Sequence, residues 1–194
     1  MWDQRYAEEN YVYGTTPNVF FKQELDKLKP GKILLPAEGE GRNAVYAASV
    51  GWDVCAFDQS DEGRRKAIRL AEKKNVNIAY VISDLENAVY PEDYFDVIGL
   101  MCVHSPGDKR HLVHRRLQKF LKPGGTLILI GFSKEQLKFA SGGPKDLSWL
   151  FSPEELKADF EEMAEVSVKQ IETEIVEGLY HQGKASVIQM TARK

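Results

Sequence analysis

The 194 residues include only two cysteines and eight prolines. No apolar run approaches the ~20 residues that span a bilayer. Two cysteines cannot form the dense disulfide framework of a small secreted domain. Cys55 and Cys102 both sit in apolar runs and read as buried thiols in a reducing compartment, the cytoplasm. A basic excess is missing as well: 26 Lys and Arg stand against 29 Asp and Glu, a net charge of -3. A general nucleic-acid surface wants the opposite sign. The start, MWDQRYAEEN, is polar and acidic and reads as no signal peptide. With no repeat, low-complexity tract or Pro/Ser-rich linker, residues 1–194 read as one domain.

What is present is an alternation of short apolar runs with amphipathic stretches. Residues 1–16, with Trp2, Tyr6, Tyr11 and Tyr13, read as an ordered arm or lid. A helix follows from Pro17 and ends at Pro30-Gly31. Strands are predicted at KILLP, DVCAFD, NIAYVISD, YFDVIGLMCV and TLILIGF, with helices between them. Lys122-Pro123-Gly124-Gly125 reads as a tight turn before the fifth strand. Ser152 and Glu155 have capping-box spacing at a further helix start. Two last strand-like runs, VSVKQIETEIV and KASVIQMTARK, are joined through Gly178 and Gly183 as a hairpin. This order predicts an α/β fold: a doubly wound, mostly parallel seven-stranded sheet with an antiparallel C-terminal edge hairpin. In such a sheet, ligands bind beyond the carboxyl ends of the strands, where strand order reverses.

The first strand runs into Glu38-Gly39-Glu40-Gly41-Arg42-Asn43-Ala44. Gly39-x-Gly41-x-x-Ala44 fits a nucleotide-binding glycine turn, and Asp58 ends the second strand where a carboxylate accepts from a ribose diol. Asp84 ends the third strand, where it either accepts from an adenine amino group or starts a turn. NAD and S-adenosylmethionine share this logic up to the phosphate. A pyrophosphate wants a helix N-terminus free of negative charge. Glu38 and Glu40 oppose it, whereas they suit a sulfonium and an ammonium.

The stretches ILLPAEGEGRNAVYAA, GWDVCAFDQS, Asp84-Leu85, FDVIGLMCVH, LKPGGTLILIGFS and GKASVIQMTARK resemble a class I S-adenosylmethionine-dependent methyltransferase. The likeness is to the small branch that includes tellurite-resistance and thiopurine-type enzymes. WDQRYAEENYVYGTTPNVF is similar to the arm that closes over the cofactor in the tellurite-resistance branch. The resemblance implies methyl transfer to a small-molecule acceptor, with detoxification as one setting. It implies that Glu38, Gly39 and Gly41 hold the methionine end of S-adenosylmethionine. Asp58, with Gln59 and Ser60 beside it, takes the ribose; Asp84 and Leu85 take the adenine. Met101 to His104 face the methyl group. The chain departs from the family at Leu35, where an aspartate is usual, and at Ala37 and Glu38, where glycine and cysteine are usual. We read Glu38 as the substitute for the missing charge.

Displacement at a sulfonium methyl needs alignment first, and a base only if the acceptor must lose a proton. His104, at the end of the fourth strand, is the candidate base. Tyr11, Tyr13, Arg42 and Phe132 are candidate substrate contacts. His104, His111 and His114 read as no metal site, because Lys109, Arg110, Arg115 and Arg116 surround them. Two rivals stay open at this point: an NAD-dependent oxidoreductase and a non-catalytic S-adenosylmethionine-binding module.

Overall fold

The computed structural model describes residues 2–194. Seven strands form one sheet in the order β3-β2-β1-β4-β5-β7-β6. They are β1 (Lys32–Pro36), β2 (Asp53–Asp58), β3 (Ala79–Ile82), β4 (Phe95–Met101), β5 (Leu121–Phe132), β6 (Glu165–Val176) and β7 (Gln182–Arg193). The first five are parallel, and β7 runs antiparallel to both β5 and β6. The hairpin thus enters the sheet by its second strand, leaving β6 at the edge. The helices are α1 (Trp2–Tyr6), α2 (Val19–Leu25), α3 (Arg42–Ser49), α4 (Asp61–Lys73), α5 (Gly107–Lys119) and α6 (Pro153–Asp159).

The central strand shows why the sheet carries helices on both faces. Ile33, Leu34 and Leu35 are all fully buried. Ile33 and Leu35 pack with Phe21, Leu25, Ala44 and Ala47 from α2 and α3. Leu34 packs on the other face with Val113, Leu117, Leu156 and Phe160 from α5, α6 and the residue after α6. An unbroken apolar run is what a parallel strand covered on both faces requires.

Two of the local boundaries that differ from expectation have a clear physical cause. Helix α2 begins after Asn18, not at Pro17, because the Asn18 side chain accepts the Phe21 amide at 3.1 Å and forms the cap. Residues 121–125 belong to β5: Leu121 pairs with Phe95 before the register jumps to Thr126 against Val97. The Pro-Gly-Gly stretch is therefore an irregularity inside the strand. The capping box forms, with Glu155 N to Ser152 Oγ at 3.3 Å and Ser152 N to Glu155 Oε2 at 3.1 Å.

Residues 2–14 cross the top of the sheet. The Leu179 amide donates to Val12 O at 2.9 Å, so the arm lies against the β6–β7 connector. A Cβ at Gly178 would stand 2.0 Å from that same Val12 oxygen, which explains the glycine there. Among the described residues no helix is long and apolar enough to cross a membrane.

Candidate functional site

A cavity of about 960 Å³ opens above the carboxyl ends of β1, β2 and β4, where strand order reverses. Its floor includes Ala37, Glu38, Asp58, Gln59, Leu85 and Met101. Trp2, Arg5, Tyr6 and Tyr13 of the arm form one wall. Residues 140–145 and the β6–β7 connector form the opposite side.

The turn after β1 is built around Glu38. Its carboxylate accepts the Asn43 and Ala44 amides, both at 2.8 Å, at the N-terminus of α3. Burial pushes the carboxyl up to about 7, even though those amides, the Asn43 side chain and Arg42 favour the ionised form. Glu38 thus occupies the helix end that would otherwise attract an external anion. Leu35, where the family usually has aspartate, is fully buried in the apolar core.

Gly39 and Gly41 stand outside the residues that line the cavity. Their role is close packing. A Cβ at Gly39 would stand 2.6 Å from the Tyr6 hydroxyl, and one at Gly41 would stand 2.5 Å from Ala67 Cβ. Both have positive φ, 59° and 85°, which side-chain-bearing residues adopt reluctantly.

Asp58 lines the cavity while accepting the Gly39 amide at 3.0 Å and the Ser60 amide at 2.9 Å. Burial raises its pKa against those bonds. Gln59 lies beside it on the floor. Ser60 does not: it caps α4, accepting Gly63 N at 3.0 Å and donating to Asp3 at 2.6 Å. Asp84 reaches the rim, but its Oδ1 accepts the Glu86 and Asn87 amides, and the Asn87 side chain bridges both oxygens. Those bonds from Asn87 lower its pKa, so the turn-starting alternative describes its local structure. Leu85 faces the cavity beside it.

His104 lines the cavity but offers no free nitrogen. Nδ1 meets the Trp149 carbonyl at 2.8 Å, and Nε2 accepts the Phe132 amide at 3.1 Å. The ring stacks 4.4 Å from Phe151, and burial lowers its pKa to about 4. A neutral imidazole with both nitrogens engaged ties β4 to β5 and the 147–149 turn. This corrects its assignment as the base.

The substrate candidates separate. Phe132 and Tyr13 line the cavity. Tyr11 does not: it packs beside Val45, Leu70 and Ala71, and its hydroxyl donates to Lys66 O at 3.0 Å. Arg42 reaches the cavity, but its guanidinium is paired to Glu177 at 2.8 Å and also donates to Tyr13 O at 3.2 Å. It is neutralised within the fold. Glu40, half of the acidic argument, is likewise paired, to buried Lys66 at 2.8 Å, and accepts the Val12 and Tyr13 amides.

Sequence reasoning missed Glu177 and His181 in the connector. The flanking glycines marked the connector, yet nothing local showed that it folds back over the β1–β4 end of the sheet. The acidic residue at position 177 meets Arg42 from 135 residues earlier.

Comparison with known proteins agrees with this architecture. Residues 33–125 match the model of a methyltransferase domain. The chain is 26% identical over 132 residues to the probable S-adenosyl-L-methionine-dependent methyltransferase TehB of Haemophilus influenzae, covering 67% of this chain and 45% of that protein. It is 32% identical over 144 residues to the probable thiol methyltransferase 2 of Arabidopsis thaliana, covering 66% and 57%. The chain therefore spans about half the length of the curated relatives it matches. The crystal structure of Haemophilus influenzae TehB superposes with a TM-score of 0.70 at 21% identity, over 90% of this chain and 61% of that one. The matched domain and the sheet topology agree: residues 33–125 match a methyltransferase domain, and the chain is similar to S-adenosylmethionine-dependent methyltransferases.

Proposed function

We propose that the chain transfers a methyl group from S-adenosylmethionine to a small-molecule acceptor within this cavity. The observation that carries the reading is the Glu38 carboxylate capping the first amides of α3 beside a buried Asp58. The amide-rich helix end that a dinucleotide pyrophosphate would use is filled from within. A phosphate-free nucleoside meets no such obstacle, and this disfavours the NAD-dependent alternative.

The residues fit the cofactor. Each Asp58 oxygen accepts one backbone amide, which leaves acceptor capacity for a ribose diol. Glu38 Oε2 has only a 3.4 Å contact with the Asn43 side chain, leaving negative charge for an ammonium. Leu85 offers an apolar face to a nucleobase, and Met101 closes the floor. When bound, S-adenosylmethionine supplies a methyl group activated by its sulfonium. The chain's own part is to orient the two reactants and to exclude water, with residues 1–16 serving as the lid. The aromatic walls and the limited volume suit a small acceptor, with no nucleic-acid or membrane partner. Two free thiols, Cys55 and Cys102, suit a reducing cytoplasm.

Calorimetric titration with S-adenosylmethionine, S-adenosylhomocysteine and NADH tests this. We expect the first two to bind and NADH not to bind; the reverse pattern overturns the reading. A screen of oxygen, nitrogen, sulfur and chalcogen acceptors, read by S-adenosylhomocysteine release, then separates an enzyme from a binding module.

A further inference from the structure

Most charges that line the cavity are matched within the fold. Glu40 pairs with Lys66 at 2.8 Å, Arg42 with Glu177 at 2.8 Å and Lys109 with Glu86 at 2.7 Å. Asp58 and Glu38 keep acceptor capacity at the nucleoside end. Two lining cations, Arg5 of α1 and Lys145 of the 140–145 loop, form no ion pair among the described residues. Lys145 is exposed and solvated, whereas Arg5 is half-buried.

The Arg5 head group is held in place without losing its donors. Its central carbon lies 4.9 Å from the centre of the Trp2 ring and 5.1 Å from that of Tyr180. Attraction to two ring faces fixes a guanidinium and uses none of its N–H groups. Nη1 donates to the Tyr13 hydroxyl at 3.0 Å, its one hydrogen bond among the described residues. A guanidinium has five N–H donors in one plane, so its remaining edge can still bind an acceptor.

These contacts also place Arg5 at the end of the cavity away from the nucleoside floor. The Tyr13 ring lies 4.6 Å from His181, which meets Phe132 edge-on at 5.1 Å, and Phe132 ends β5. Asp58 ends β2, with β1 and β4 between it and β5. Three strand spacings amount to about 14 Å. A single half-buried cation is neutralised by one negative charge. Its planar fork matches a carboxylate, and the tyrosine and tryptophan walls suit a flat ring.

We propose that Arg5 selects a methyl acceptor that carries a carboxylate on a flat ring, and that it binds this carboxylate through its open guanidinium edge. The inference rests on the methyl-transfer reading above and names the acceptor class for that site. Arg5 contributes no proton or electron pair to the transfer; it fixes where the acceptor lies relative to the methyl group.

The test compares the full-length wild type with Arg5→Gln and Arg5→Lys. The acceptors are aryl thiols, phenols and arylamines, each with and without a ring carboxylate. The wild type is expected to favour the carboxylate-bearing member of a pair. Arg5→Gln should lower kcat/KM for that member by roughly 10–100-fold, chiefly through KM, and leave its neutral partner within about threefold. Arg5→Lys keeps the charge without the fork and should lie between. S-adenosylmethionine affinity by calorimetry should stay at the wild-type value. A carboxylate preference that survives Arg5→Gln overturns the proposal. So does a loss of about tenfold in S-adenosylmethionine affinity in that variant, which would assign the guanidinium to the cofactor's own carboxylate. Titration of the wild type saturated with S-adenosylhomocysteine decides the matter if the variants fail to fold. There benzoate should bind and neutral benzamide should bind at least about tenfold more weakly, and equal binding overturns the proposal. A wild type that binds the cofactor but methylates no acceptor defeats the methyl-transfer reading itself, while the benzoate titration still reports on Arg5.

Discussion

Replacing Lys66 with methionine tests how the arm is held over the cavity. Lys66 Nζ donates to Glu40 Oε1 at 2.8 Å and to Asn10 O at 2.7 Å. The two charged side chains are only 6% and 3% exposed. The second Glu40 oxygen accepts the Val12 and Tyr13 amides at 2.8 and 3.3 Å. Lys66→Met keeps the aliphatic stem but strands a buried carboxylate without its cation. Breaking such a pair from one side costs about 3–5 kcal/mol. At a slope of about 2 kcal/mol per molar urea, the unfolding midpoint falls by roughly 2 M. The double variant Lys66→Met/Glu40→Gln removes the stranded charge and recovers about 1–3 kcal/mol as coupling energy. Arg65→Met on the same helix breaks ion pairs to Asp61 and Glu62 that are largely solvated, and costs about 0–1 kcal/mol. Urea unfolding followed by circular dichroism measures all three variants, and trypsin cleavage after Arg5 reports undocking of the arm. If Lys66→Met and Arg65→Met destabilise equally, the arm is not anchored by this pair and the reasoning is refuted.

Three further predictions concern the cavity. Asp58→Asn is expected to weaken S-adenosylmethionine binding by roughly 10–100-fold, as loss of a charged hydrogen-bond acceptor implies; unchanged calorimetric affinity would exclude a ribose role. Glu38 stands at about 7 in the folded chain against 4.5 in the reference, so its contribution to stability is full below pH 4.5 and declines as pH rises through 7. Glu38→Gln should flatten that decline in denaturation measured from about pH 5 to 8, and also flatten the rise in cofactor affinity over the same range. A parallel pH dependence in the variant and the wild type removes Glu38 from both roles. His104 is lowered from 6.5 to about 4, so its contribution is present above pH 6.5 and is lost as pH falls toward 4. His104→Gln should cost about 1–3 kcal/mol through poorly satisfied Trp149 and Phe132 backbone groups. It should leave the pH dependence of methyl transfer unchanged; an altered pH–rate profile would restore His104 as the base.

The mostly parallel, doubly wound sheet and its C-terminal hairpin follow from local patterns. Apolar runs such as KILLP and TLILIGF, glycine turns and alternating helices constrain the chain to a covered parallel sheet. Asp58 was legible as a carboxylate at a strand end, and the fold places it against the cavity. The glycines were legible as a turn, whereas the close packing they also serve was not. They admit Tyr6 and Ala67, contacts that no local pattern encodes.

Histidine roles were the least legible. A histidine after a strand invites a catalytic reading, and only packing showed that both His104 nitrogens bridge backbone groups. His181 lies in the connector between the last two strands, and only the fold carries it to Tyr13 and Phe132. Net charge behaved in the same way. The sequence determined how many carboxylates stand near the strand ends. Tertiary structure decided that Glu40 is neutralised by Lys66, that Glu38 caps a helix, and that Arg42 is held by Glu177. Composition and period are properties of the chain, whereas an ion pair requires two groups brought together by the fold and shielded from water.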